Sequence, residues 1–123
     1  MRKRILIGGA VAVISIGAAI FAVYYATKNK DNGVTAQIQI SASGFSPSNL
    51  TVKAGTHIIW KNIDAAPHTV ASNPYPSNSS LKDLHSQTIL PNGTYTYTVA
   101  EAGTIQYHDG TLPTHNASIK VEK

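Results

Sequence analysis

The chain has 123 residues, a net charge of +4 and no cysteine. That length admits one domain at most, and the missing thiol excludes disulfides, a thiolate metal ligand, a thiol nucleophile and a lipidated cysteine. The positive charge excludes less than it first implies: Arg2, Lys3, Arg4, Lys28 and Lys30 carry half of the basic residues, and from position 33 onward five lysines face five acids. The larger part of the chain is therefore neutral, which argues against nucleic acid as a partner.

Residues 5–26 contain no charge over 22 positions, against the roughly 20 that a helix needs to cross a bilayer core. The run is too long for the apolar region of a cleaved signal. An uncleaved transmembrane helix is expected within 1–27, followed by a polar linker at 28–35 and a domain at 36–123. Three basic residues precede the span and two follow it, so the N-terminus is expected in the cytoplasm and the domain outside, with Tyr24 and Tyr25 at the outer headgroups. The predicted location is the cell membrane, single-pass.

The domain reads as short strands separated by turns. Residues 36–40 (AQIQI) alternate, and Phe45 opens a Pro-Ser turn before a short strand that ends at Gly55. In 56–62 Ile58 and Trp60 face inward and His57 outward. Residues 71–86 lack a period and read as a long loop, the kind that tends to be functional or mobile. Residues 94–99 (TYTYTV) alternate strongly. At 103–121 a strand places Ile105, Tyr107 and Asp109 on one face and His108 on the other, toward the rim. A polar Gly-Pro loop should follow, and then a strand buried at Ile119 and Val121. Almost no helical periodicity is present, so the predicted class is all-β, an antiparallel sandwich preceded by one transmembrane helix.

Several segments resemble the cupredoxins, the plastocyanin-like blue-copper domains: FSP at 45–47, LTVKAGT at 50–56, IIWKN at 58–62, PHTV at 67–70, LPNGTYTY at 90–97 and GTIQY at 103–107. The resemblance implies a Greek-key β-sandwich. It also implies that His68 is the first copper ligand and that the other ligands lie in the last loop, usually Tyr-x-Cys-x-x-His-Pro-x-Met. Laid on this chain without gaps, the Cys position falls on Asp109, the second His on Leu112 and the Met on His115. Without a thiolate a blue site is excluded.

The expected metal ligands are therefore His68, Asp109 and His115, with His108 and His85 as further candidates and Asn62 and Tyr107 as supporting neighbours. Two imidazoles and a carboxylate suit one copper ion, zinc being the other metal that such a set accepts. No nucleophile elbow, catalytic carboxylate pair or phosphate loop is present, so no enzymatic activity is expected. The expected role is copper handling or electron transfer with a redox or copper-handling protein as partner. The alternative is a metal-free module of the same fold that serves interaction or structure. Sequons stand at Asn49, Asn78, Asn92 and Asn116.

Overall fold

The computed structural model describes residues 34–123, together with Ile14–Ser15 (β1) and Phe21–Ala22 (β2), which pair antiparallel. Apart from those four residues, the anchor expected at 1–27 and most of the linker lie outside the described residues. No helix among the described residues is long and apolar enough to cross a membrane.

Eight strands build the domain: β3 (Thr35–Ser41), β4 (Gly44–Ser46), β5 (Asn49–Lys53), β6 (His57–Asn62), β7 (Ala71–Ser72), β8 (Thr94–Thr98), β9 (Gly103–Asp109) and β10 (Leu112–Glu122). They form two four-stranded sheets, ordered β4-β3-β6-β8 and β5-β10-β9-β7. The parallel pairs β3 with β6 and β10 with β5 tie distant segments together. Because the side-chain period of a strand is two, the alternating residues of both sheets supply one core. Ala36, Ile38 and Ile40 from β3, Ile58 and Trp60 from β6, Leu50 and Val52 from β5, and Ile119 and Val121 from β10 are all at most 3 % exposed. Trp60 sits among rings, edge-on to Tyr107 at 5.4 Å and 5.6 Å from Tyr95, and Phe45 meets Tyr107 at 4.8 Å.

Three expectations are corrected. The sandwich is mixed rather than antiparallel, since β3 with β6 and β10 with β5 run parallel. The polar loop after Asp109 is instead a tight turn at Gly110 and Thr111, after which β10 runs from Leu112, with its register shifting against β9 between Leu112 and Asn116. The segment 71–86 is not a free loop. Its first two residues are β7, paired with His108 and Tyr107, and it sends Leu84 into the core with no exposure at all. A turn-rich segment that sends a single leucine fully into the core has no sequence period to betray it.

Candidate metal centre

His68 lies just after Pro67, in a segment that leaves β6 and bridges back to Ile89, with backbone bonds in both directions at 3.1 and 2.8 Å. Asn62, fully buried at the end of β6, fixes that segment. Its Nδ2 donates to the carbonyls of Ala66 (2.8 Å) and Ile89 (2.9 Å), and its Oδ1 accepts from the Asp64 amide (2.9 Å). The imidazole of His68, 1 % exposed, is thereby held between two carboxylates. Nε2 meets Asp64 Oδ2 at 2.8 Å, and Nδ1 makes a very short hydrogen bond with Asp109 Oδ2.

Asp109 is the last residue of β9, and its other oxygen is fully occupied. Oδ1 accepts from the amides of Thr69 (3.1 Å) and Thr111 (2.9 Å) and from the Thr111 hydroxyl (2.7 Å). The Thr69 hydroxyl in turn accepts the Gly110 amide at 2.8 Å. These bonds hold the carboxylate and the turn together, so that one oxygen remains for His68. A side chain caps its own turn in this way when its acceptor reaches amides two residues on.

The charges follow from those contacts. Burial disfavours an imidazolium at His68, but the hydrogen bonds and the charges of Asp64 and Asp109 outweigh it and raise its pKa above 6.5. Burial works against the Asp109 carboxylate as well; the Thr111 hydroxyl, the Thr69 and Thr111 amides and His68 together hold its pKa below 3.8. Asp64 is lowered chiefly by its hydrogen bond to His68. The centre is an imidazolium clamped by two carboxylates.

The other expected residues fall elsewhere. His115 lies on β10 at the register shift, with its ring beside Gly44; a Cβ at Gly44 would stand 3.7 Å from the His115 Cγ. Its Nδ1 is buried without a hydrogen-bond partner among the described residues. His108 has the outward parity expected but not the rim exposure. It is 1 % exposed, covered from the segment after β7: Asn73 Oδ1 lies 2.7 Å from its Nδ1, and the Tyr75 ring meets it edge-on at 5.5 Å. Burial lowers its pKa and so favours the neutral ring. His85 is exposed and bridges Ala71. Tyr107 is fully buried in the core beside Trp60, where burial pushes its phenol pKa up. Leu112, at the position of the family's second histidine, is 41 % exposed.

Among the described residues no three of His, Cys, Asp or Glu are grouped to hold a metal ion. Of the expected ligands the fold brings His68 and Asp109 together and leaves His115 outside the pair. Two donors, one nitrogen and one oxygen, suit copper(II) or zinc with water at the open positions. The Nδ1 of His115, buried without a partner among the described residues, lies beside Gly44 and outside that pair. Sequence reasoning missed Asp64, four residues before His68, and the threonines that hold Asp109. The spacing of Asp64 and His68 around Ala-Ala-Pro was the available signal.

Comparison with curated proteins yields no match. Among solved structures the chain is similar to a purple cupredoxin from Nitrosopumilus maritimus, at 26 % identity and a TM-score of 0.62 over 71 % of this chain and 99 % of that one. It is similar to a mutant of amicyanin in the Cu(I) state, at 27 % identity and 0.62 over 70 % and 80 %. A second amicyanin mutant, in the oxidized state, aligns at 26 % and 0.63 over 77 % and 87 %. The family model described as the cupredoxin-like domain matches residues 13–121, and with the two-sheet sandwich and His68 in its Pro-His-Thr-Val segment this places the chain in the cupredoxin family.

Proposed function

We propose that this chain is a membrane-anchored, extracytoplasmic cupredoxin that holds one copper ion at a non-blue, nitrogen and oxygen site, and that it serves in copper handling or electron transfer rather than as an enzyme. The observation that carries the reading is the buried contact between His68 and Asp109, which stand at the family's first-histidine and cysteine positions. His68 Nδ1 and Asp109 Oδ2 would hold the ion in place of the proton they share, and His115, outside that pair in the metal-free chain, would have to move toward it to serve as a third donor. Copper(II) on such a set would supply a Lewis-acidic, one-electron redox centre. The residues themselves do the rest: Asn62 fixes the His68 segment, the two threonines orient Asp109, and Asp64 holds the outer edge of the imidazole. The apolar stretch at 5–26 with its basic flank supports the anchor and the outward-facing domain.

The alternative, a metal-free module for interaction or structure, has its own observation. Both ring nitrogens of His68 are already engaged by carboxylates, and its raised pKa favours the imidazolium, a form without a lone pair to offer. Copper titration of the full chain, followed by EPR, separates the two. The first reading expects one Cu(II) per chain with a type 2 spectrum, lost in His68→Ala and weakened in His115→Ala, with an affinity that rises with pH because binding must displace the imidazole proton. Binding below one equivalent that ignores both substitutions would leave the metal-free module.

A further inference from the structure

The outer face of the β5-β10-β9-β7 sheet carries a feature that the metal centre does not use. Ser118 on β10 pairs with Asn49 on β5 and with Gln106 on β9, and the Asn73 amide, just past β7, donates to the Gln106 carbonyl at 2.9 Å. Asn73, Gln106, Ser118 and Asn49 therefore form one row across all four strands, three inter-strand spacings or about 14 Å long. A groove of about 400 Å³ lies over this row, with Asn116 on its lining, and an adjoining hollow of about 370 Å³ shares Asn73 and Gln106. Both hollows are shallow and open to solvent, with volumes in the range of small-molecule sites.

The chemistry of the lining is selective. No lining residue of either hollow is charged, which disfavours phosphates, nucleic acid and acidic peptides. The nearest charge in register is Lys120, one row away. What the row offers is carboxamides, each with a donor and an acceptor side by side. They are oriented from below. His108 Nδ1 donates to Asn73 Oδ1 at 2.7 Å, so the Asn73 Nδ2 is directed toward the Asn116 Oδ1, which it reaches only at 3.5 Å. The Ser118 hydroxyl donates to Asn49 Oδ1 at 2.8 Å, which leaves the Asn49 amide hydrogens for a guest. The Gln106 carboxamide makes no hydrogen bond with any described residue. Tyr75, next in the chain after Pro74 of the second hollow's lining, is 56 % exposed and stands with its ring edge-on to His108.

We propose that this row is a binding groove for a neutral saccharide, whose adjacent hydroxyls pair with Asn73, Gln106 and Asn49 while Tyr75 covers a C–H face of the sugar. A hydroxyl both donates and accepts, as a carboxamide does, and an amphipathic ring supplies contact area at low entropic cost. The inference is independent of the copper reading, since none of the row's residues touches His68 or Asp109.

The test is calorimetric titration of the full, unglycosylated chain in a detergent without a sugar headgroup, with cellotetraose and chitotetraose as probes. One of them should bind with a Kd of about 1 mM or tighter. Gln106→Ala and Tyr75→Ala should each weaken binding about tenfold while the melting temperature stays unchanged, and binding should not vary between low and high salt. His57→Ala, on the opposite sheet, should leave binding intact. Failure of both sugars to bind, binding that survives Gln106→Ala, binding that falls with salt, or preference for a peptide over the sugars would each overturn the proposal.

Discussion

The two sheets bury the same kind of core but treat their outward histidines differently. On β6, His57 faces away from the core, is only half-buried, and meets Thr98 Oγ1 of the neighbouring β8 at 2.6 Å. On β9, His108 has the same outward parity yet is 1 % exposed, because the segment after β7 folds over it. Parity tells which side of a sheet a residue takes; what covers that side is decided by a segment elsewhere in the chain. The first sheet is regular and held by apolar packing, whereas the second ends in a charged centre held by hydrogen bonds.

The comparison can be tested by breaking each sheet at its strongest point. Trp60→Ala should have the largest effect, removing a fully buried ring packed against Tyr107 and Tyr95, and should destabilise the domain by about 4 kcal/mol in urea unfolding of the metal-free chain. On the other sheet Asp109→Ala leaves His68 buried with only Asp64 as partner and the 110–111 turn without its acceptor. A loss of about 3 kcal/mol is expected, accompanied by a fall in the His68 pKa that proton NMR would read directly. A loss under about 1 kcal/mol would mean that the charged centre contributes little to holding the hairpin.

The pH profile sharpens the same contrast. The pKa of His68 is raised above 6.5, so its stabilising contribution is complete below that value and is lost as pH rises through the folded-state pKa. Asp109 is held below 3.8, so its contribution is complete above 3.8 and is lost as pH falls through the lower, folded value. The contributions of His68 and Asp109 should therefore be complete together between about pH 4 and 6.5, with the alkaline decline belonging to His68, while His108, whose pKa burial lowers, contributes fully above 6.5 and loses its part as pH falls below it. Asp109→Asn should flatten that alkaline decline, while Trp60→Ala should shift the whole curve down without changing its shape. A wild-type profile with no decline above pH 6.5 would contradict the clamped imidazolium. The smallest effect is expected from Gly110→Ala: its Cβ would stand 2.7 Å from the Thr69 hydroxyl, and a loss of about 1 kcal/mol would report the displaced bond.

Much of the first sheet was legible because its information is local. Ala36, Ile38 and Ile40, like Ile58 and Trp60, alternate in the chain as they alternate in the core. His68 and Asp109 were legible through the family's order of residues, and the structure does set them side by side. The hairpin was not, since the expected loop at Pro113 is replaced by a strand that continues through the proline, and the bonds from Thr69, Thr111 and Gly110 that close the turn come partly from residues 40 positions away. Leu84 and the cover over His108 escaped for the same reason. Their burial depends on where a turn-rich segment docks, and no short window of sequence contains that information.

The parallel pairing of β5 with β10 has a consequence for the order in which the domain can assemble. Residues 49–53 find their partners only at 118–122, almost the whole domain later, and β10 is also the partner of β9. During synthesis β5 therefore stays an unpaired edge, with Leu50 and Val52 uncovered, until β10 emerges. Pairings so distant in sequence slow folding, because a large loop must close before the contact forms. The half-made chain thus presents a sticky strand for most of its synthesis, and whatever keeps it from aggregating must act before residue 118 appears.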